Sequence, residues 1–253
     1  RTCDVATARL ISREVSDGVI APDYEPKALA LLRAKRKGEY RVLRIDPAYE
    51  PNPIERRQVF GITLEQHRND EPITPELFAR RVTASQEVPQ AAMRNLLLAT
   101  IVLRYTQSNS VCLAHNGQVT GVGAGQQSRV HCTRLAANKS DLWFLRQHPA
   151  VLGLQFAAGV PRSERNNAID LYLMDTLSAA EEAAWRQSFA TVPQRLSRDE
   201  KRAWLARVRD VALSSDAFFP FRDSIDRSAE SGVRYVAQPG GSVNDAAVVE
   251  ACD

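Results

Sequence analysis

A predicted hairpin constrains the fold of this 253-residue chain more than any other feature. Val111–Ala114 is an apolar run, Asn116-Gly117 is a dipeptide typical of a two-residue hairpin turn, and Gln118–Val122 returns as a second strand. The glycine-rich stretch Gly121–Gly125 is predicted to be a loop, and a helix is predicted from Gln126 onward. A strand pair that leads into a helix favours a fold that mixes both element types.

The first segment also alternates between strands and helices. Val19–Ala21 is a short apolar strand, and Tyr40–Ile45 alternates with period two. Between them, Pro26 suits the first turn of a helix, and Asp4 is placed to cap an earlier helix. This β-α-β order favours a parallel sheet with covering helices, so the predicted fold class is α/β.

The remaining elements follow from shorter patterns. The predicted elements are a strand at Val59–Leu64, helices at Leu77–Val82 and Ala91–Arg104, a C-terminal helix at 223–231 and a strand at Val233–Ala237. Capping-box patterns predict three further helix starts, at Ser178, Ser197 and Ser242. We therefore expect residues 1–104 to belong to a first α/β subdomain, residues 105–137 and 211–253 to a second, incomplete one, and residues 138–210 to a helical insertion.

Composition excludes several classes of protein. The 33 basic and 30 acidic residues leave a net charge of only +3, which argues against a polybasic nucleic-acid binder. The longest apolar run, Leu96–Leu103, is far shorter than the roughly 20 residues that span a bilayer, so no membrane partner is expected. No signal peptide opens the chain. Because the chain begins at Arg1 rather than Met, we expect a piece of a longer protein.

The four cysteines make no Cys-x-x-Cys pair, which favours a reducing, cytosolic compartment. They are Cys3, Cys112, Cys132 and Cys252. Cys112 and Cys132, together with His115 and His131, have the residue types of a zinc site. Since both cysteines lie at apolar positions, core packing is the preferred interpretation and no zinc is expected.

Three polar segments are candidate ligand sites, and each has a structural alternative. Gly121–Gly125 with Arg129 suits an anion, or is a tight turn beside a solvated arginine. Tyr105–Ser110 suits a monovalent cation or a polar heterocycle, or is a loop that satisfies its own backbone. Ser214–Asp223 combines three phenylalanines with carboxylates and suits a planar heterocycle, or docks on the core.

Three long blocks resemble one known family. They are CDVATARLISREVSDGVIAP (3–22), RYTQSNSVCLAHNGQVTGVGAGQQSRVHCTRLA (104–136) and SSDAFFPFRDSIDRSAESGVRYVAQPGGS (214–242). They resemble the transformylase half of the eukaryotic-type AICAR transformylase/IMP cyclohydrolases. The resemblance implies a duplicated, cytidine-deaminase-like α/β/α fold without zinc, and a cytosolic homodimer with active sites across its interface. It also implies formyl transfer from 10-formyltetrahydrofolate to AICAR, giving FAICAR, with the cyclohydrolase domain upstream.

The resemblance also implies roles for individual residues. The positions that match AICAR contacts are Asp17, Asn109, Arg129, Phe218 and, more weakly, Asn167. The positions that match folate contacts are Val130, Asp223, Ser242 and Val243. The positions that match a potassium neighbourhood are Leu103, Thr106, Ser108, Ser110 and Asp216. Arg129 and Val130 are expected to serve the site of the partner subunit.

The sequence departs from the family pattern because it lacks residues that the family uses for catalysis and for closing the AICAR site. The Ser-Phe-Lys-His-Val stretch, which holds the family's catalytic Lys-His pair, is not in this sequence and is expected before Arg1. An Arg and a Phe that close over AICAR are expected after Asp253. We therefore expect walls of a site without its proton-transfer groups. The alternative is a non-catalytic fragment that binds ligand or dimerises.

Overall fold

The computed structural model describes residues 1–253, which divide into two compact units, Arg1–Asn69 and Asp70–Asp253. This division does not coincide with any of the boundaries expected from the sequence, and the expected subdomains stay predictions. Each unit mixes helices with strands. The predicted α/β class is therefore confirmed.

The first unit is built on a parallel β-α-β motif, as predicted. Helix α1 (Val5–Arg13) is capped by Asp4, whose carboxylate accepts a hydrogen bond from the Thr7 amide at 2.7 Å. Strand β1 (Gly18–Ala21), helix α2 (Pro26–Ala34) and strand β2 (Arg41–Arg44) follow, and β1 pairs with β2 in parallel. A small buried core holds the motif together; it consists of Cys3, Ala8, Ala21, Ala28, Leu32 and Tyr40.

A long hairpin ends the first unit and corrects one prediction. Strands β3 (Ile54–Val59) and β4 (Ile62–His67) pair antiparallel, and Phe60-Gly61 forms the two-residue turn with φ of 49° and 81°. The predicted strand Val59–Leu64 is wrong because those residues cross the turn. Both positive φ values match a type I′ turn. Phenylalanine is not typical of the first position of such a turn, so the sequence does not predict it.

The second unit opens with a short helical turn and a long helix. The predicted helix Leu77–Val82 is wrong: a single 3₁₀ turn covers Pro75–Phe78. Helix α3 (Gln90–Leu103) confirms the prediction for that region within one residue at each end. It packs on the strands that follow, through Ala99 and Leu103.

A four-stranded sheet lies at the centre of the second unit, in the order β6-β5-β7-β8. Strand β5 (Ser110–His115) pairs antiparallel with β6 (Gln118–Ala124) and with β7 (Val211–Ser215), and β7 pairs in parallel with β8 (Val233–Ala237). Successive side chains of a strand point to opposite faces. Val111 and Leu113 accordingly join the core under helix α4 (Arg129–Leu145), whereas Cys112 and Ala114 join the core under α3.

The glycines before α4 do not form the predicted loop. Gly121 and Gly123 lie within β6, where a Cβ would come within 2.0 Å of the Ala136 carbonyl oxygen and 2.1 Å of the Cys132 carbonyl oxygen. They let helix α4 approach the sheet closely rather than cradle a ligand. The helix begins at Arg129 rather than Gln126, with Ser128 as its cap. The loop predicted for Gly121–Gly125 is therefore wrong, since all but the last of these residues belong to a strand.

The expected helical segment is present. It comprises the end of α4, then α5 (Pro149–Leu152), α6 (Arg162–Leu173), α7 (Ala179–Arg186) and α8 (Arg198–Leu205). Both capping boxes, at Ser178 and Ser197, form as predicted. Tyr172 and Trp185 lie in the buried core of this segment. None of the helices in the chain is long and apolar enough to cross a membrane.

Two short helices complete the chain: α9 (Asp223–Ala229) and α10 (Asp245–Cys252). The cap predicted at Ser242 is wrong, since Asn244 precedes the first helical residue. The Ser242 hydroxyl instead accepts a hydrogen bond from the Asn244 amide at 3.1 Å, which shapes the loop before the helix.

Candidate functional site

A buried ion pair connects two of the candidate segments, which follow the two strands that flank β5. Arg129 begins α4, and Asp216 follows the last residue of β7. The guanidinium Nη1 donates to Asp216 Oδ1 and, at 3.0 Å, to the Ser110 carbonyl oxygen. The arginine side chain is 5% exposed and the aspartate side chain 19%. The proposed solvated arginine is therefore wrong: Arg129 is a fixed, buried cation.

Asp216 is held as a carboxylate. Burial raises its pKa, but hydrogen bonds from Ser108, the Ser110 amide and Arg129, together with the charge of Arg129, outweigh burial and lower the pKa overall. The Ser110 amide donates to Asp216 Oδ1 at 3.0 Å, and the Asp216 amide donates back to the Ser110 carbonyl at 3.2 Å. The end of β7 is thus tied to the start of β5.

Asn109 is oriented from both ends of its side-chain amide. Arg129 Nη2 donates to Asn109 Oδ1 at 3.0 Å, and Asn109 Nδ2 donates to the Gln126 carbonyl at 3.1 Å. The Cys132 thiol donates to the Asn109 main-chain oxygen at 2.9 Å. A carboxamide has two N–H groups and two oxygen lone pairs, so one of each remains for a ligand. The half-buried Asn109 can read the edge of a planar polar molecule.

The five residues of the predicted potassium neighbourhood lie together. The Thr106 hydroxyl lies 2.9 Å from the Leu103 carbonyl oxygen, to which it donates, and 2.8 Å from the Ser110 hydroxyl. Ser108 and Ser110 both donate to Asp216. The polar segment Tyr105–Ser110 therefore does more than satisfy its own backbone, because it surrounds a carboxylate from another strand.

The phenylalanine segment divides between core and surface. Phe219 is fully buried, and its amide donates to Gln238 Oε1 at 2.5 Å. Phe218 is 42% exposed and Phe221 is 61% exposed. Both alternatives for this segment hold in part: one ring docks on the core, and Phe218, two residues from Asp216, offers an aromatic surface.

The four candidate folate contacts are less tightly organised. Val130 is half-buried beside Arg129, whereas Asp223 is exposed in the first turn of α9. Val243 is 99% exposed. The segments that lead into α9 and α10 are joined by Asn244 Nδ2, which donates to the Pro220 carbonyl at 2.8 Å.

Two candidate AICAR contacts lie outside the buried cluster. Asn167 is exposed on α6, within the helical segment. Asp17 belongs to the first unit, where it is exposed and pairs with Arg36 at 2.6 Å. Neither contributes to the network around Arg129.

The residue types of the zinc hypothesis do not converge. No group of three or more histidine, cysteine or acidic side chains is arranged to hold a metal ion. Burial raises the pKa of the Cys112 thiol to about 12 and raises that of Cys132, so both stay protonated at neutral pH. All four cysteines are free.

Sequence reasoning missed the network that organises the cluster. Arg129 and Asp216 were each singled out, but their pairing spans 87 positions and no local pattern reveals it. The available signal is that Arg129 and Asp216 carry opposite charges, and that each comes soon after a strand, β6 or β7, that flanks β5 in the sheet. The Gln126 carbonyl carried no such signal.

Comparisons with known proteins agree with the resemblance. A family model described as AICARFT/IMPCHase bienzyme matches residues 1–139. The bifunctional purine biosynthesis protein PurH of Xylella fastidiosa (strain 9a5c) is 30% identical over 254 residues, an alignment that covers all of this chain and 36% of the relative. The chain thus spans about a third of the length of that protein. On this evidence the chain belongs to the AICARFT/IMPCHase bienzyme family.

Proposed function

We propose that this chain forms part of an AICAR transformylase, which transfers the formyl group of 10-formyltetrahydrofolate to AICAR in purine biosynthesis. The relative's printed name, the family model and the three sequence blocks support this proposal. We place the reaction in the cytosol and the enzyme in a homodimer with shared active sites.

The observation that carries the proposal is the orientation of Asn109. The amine and carboxamide of AICAR are neighbouring donors and acceptors on a planar ring, and an amide held at both ends can match them. The exposed ring of Phe218 stacks on the imidazole in this proposal. Asp17 and Asn167 are proposed as further AICAR contacts on the resemblance alone.

Arg129 acts on the proposed AICAR site through Asn109. In the arrangement described here its guanidinium has three acceptors inside the chain, which are Asn109 Oδ1, Ser110 O and Asp216 Oδ1. A direct contact between Arg129 and AICAR stays a prediction. The folate is proposed to meet Val130, Asp223, Ser242 and Val243.

Positioning alone does not complete the reaction. The AICAR amine is conjugated with its carboxamide and is a weak nucleophile, so it needs a base to take its proton and a donor to stabilise the tetrahedral oxyanion. The resemblance assigns both roles to a Lys-His pair that this sequence does not contain. We propose that the chain binds and orients AICAR, and that those groups come from residues outside it.

Calorimetric titration of the 253-residue chain with AICAR tests the binding step. We expect binding to the unchanged chain, and a dissociation constant roughly five to thirty times higher in Asn109→Ala, since a positioned hydrogen-bonding group is worth about 1–2 kcal/mol. Gln187→Ala removes an exposed amide at the end of α7 and is the matched control. Equal affinity in all three proteins would contradict the proposed role of Asn109.

A formyl-transfer assay separates the enzyme from the alternative. The chain alone is expected to show no turnover, and the chain extended upstream to include the Lys-His stretch is expected to be active. If the extended protein binds AICAR without turnover, the non-catalytic binding or dimerisation fragment is the better description. Turnover by the 253-residue chain would contradict the assignment of the base to residues outside it.

A further inference from the structure

Leu103 and Ser110, two of the residues that the resemblance places around potassium, have oxygens that already take part in hydrogen bonds within the chain. The Leu103 carbonyl accepts from the Thr106 amide at 3.1 Å and from its hydroxyl at 2.9 Å. The Thr106 and Ser110 hydroxyls lie 2.8 Å apart and share a hydrogen bond in which Thr106 can accept, and the Ser110 carbonyl accepts from Arg129 and from the Asp216 amide. A hard cation needs several oxygens whose lone pairs converge on one point. Here those lone pairs point at N–H and O–H groups, so these residues, as arranged, do not fit a potassium ion.

The charge of the cluster is also balanced without an added ion. Asp216 is its one carboxylate, and the guanidinium of Arg129 lies against it. A second cation beside this pair would meet a buried positive charge at short range, which is unfavourable where water is largely excluded.

The shape of arginine fits these acceptors better than a sphere would. Its planar fork directs N–H groups at Asp216 Oδ1, Ser110 O and Asn109 Oδ1, three oxygens from two segments. The same group therefore neutralises the carboxylate, fastens the start of β5 and orients Asn109. A potassium ion would supply the charge but no directed donors.

We propose that Arg129 is the resident cation of this cluster, that it occupies the position which the resemblance assigns to potassium, and that Arg129 and potassium exclude each other at Asp216. The second unit of this chain then needs no monovalent cation to fold. This inference is independent of formyl transfer, because it concerns only residues of the chain in the absence of substrate.

Thermal unfolding in potassium chloride and in choline chloride at equal ionic strength tests the proposal, because choline is too large to replace a buried ion. The unchanged chain is expected to have the same melting temperature in both salts. Arg129→Met removes the charge but keeps much of the side-chain volume; we expect its melting temperature to fall by about 10 °C in choline and to recover partly and saturably in potassium.

The chain offers a matched control. Arg227 pairs with Asp141 at 2.9 Å, and both side chains are 19% exposed. Arg227→Met should lower the melting temperature equally in the two salts. The oxygens that accept from Arg227 are Ser231 Oγ, Asn138 Oδ1 and Asp141 Oδ2, all on side chains that can turn to water, whereas Arg129 contacts the fixed carbonyl of Ser110 in a strand. The double variant Arg129→Met with Asp216→Asn should lose the recovery in potassium, since the carboxylate that would hold the ion is gone.

Two results would overturn the proposal. One is a saturable, potassium-specific rise in the melting temperature of the unchanged chain. The other is a folded Arg129→Met variant with the same melting temperature in both salts. If that variant does not fold, the unchanged chain provides the test. An equal melting temperature of the unchanged chain in the two salts then supports the proposal. None of these measurements involves AICAR or folate, so they stand apart from a failure of the proposed function.

Discussion

The two β-hairpins of this chain have the same turn geometry and opposite surroundings. Both close with two residues at positive φ: Phe60-Gly61 at 49° and 81°, and Asn116-Gly117 at 49° and 75°. In the first hairpin nearly every residue of β3 and β4 is exposed. In the second, β5 is almost wholly buried between α3 and α4. The first hairpin has few tertiary contacts to stabilise it, whereas packing holds the second.

Ion pairs differ between the hairpins in the same way. Across the first, Arg56 meets Glu65 at 2.7 Å, with side chains 66% and 52% exposed. Beside the second hairpin, against the first residue of β5, Arg129 of α4 meets Asp216, with side chains 5% and 19% exposed. Water screens the first pair and largely not the second. Two arginine–carboxylate pairs, one across the first hairpin and one beside the second, should therefore contribute very differently to the free energy of unfolding.

The largest expected difference is between the two acidic partners. Asp216→Ala should lower the free energy of unfolding by about 4 kcal/mol, because it leaves the buried charge of Arg129 without its partner. Glu65→Ala should cost less than about 1 kcal/mol. Urea unfolding followed by circular dichroism measures both, and tryptophan fluorescence reports the second unit alone, since all three tryptophans lie there. Equal losses would show that burial does not distinguish the pairs.

Acid provides a second signature of the Asp216 pair. The folded-state pKa of Asp216 is lowered, so its stabilising contribution is present above the unfolded value of about 3.9 and is lost as pH falls through the folded value. The difference in unfolding free energy between the unchanged chain and Asp216→Asn should be constant near neutral pH and shrink below about pH 4. If the difference in unfolding free energy instead grows as the pH falls, the pKa of Asp216 is not lowered in the folded state.

Glycine substitutions should have the next largest effect. A Cβ at Gly123 would lie 2.1 Å from the Cys132 carbonyl oxygen, so Gly123→Ala must push α4 off the sheet and should cost about 2–3 kcal/mol. Gly61 has open space around it, and Gly61→Ala should cost only the strain of its positive φ, about 1 kcal/mol. The same urea titrations compare them. A smaller loss at Gly123 would mean that helix and sheet are not closely packed there.

The same contrast explains what the sequence could predict. The Asn116-Gly117 turn and the β-α-β motif of the first unit follow from local backbone preferences, and the structure confirms both. In the sequence, Gly121 and Gly123 are typical of a ligand-binding loop. A glycine allows another group to come close to the backbone, but the sequence does not show whether that group is a ligand or another part of the protein. Here a helix makes the approach. Only the tertiary fold could show that.

The candidate site was predictable as a set of segments and not as a network. The polar run, the arginine and the phenylalanine segment were singled out by composition. Their joining depends on β7 pairing with β5 across about 100 residues of intervening chain. The burial of Arg129 follows from that pairing, so no local reading could distinguish a solvated arginine from a buried one.

The smallest expected effects come from exchanging the first turn residues of the two hairpins, Phe60 and Asn116. Phe60 is fully exposed and holds a positive φ, so Phe60→Asn loses no packing and relieves strain; it should stabilise the first unit by about 0.5 kcal/mol. Asn116→Phe should destabilise the second unit by a similar amount, about 0.5 kcal/mol, for the converse reason. Phe60→Ala is the control, because alanine keeps the Cβ and should change nothing. Destabilisation by Phe60→Asn in circular dichroism unfolding would contradict this prediction, because it would mean that the Phe60 ring makes a stabilising contact that asparagine cannot replace.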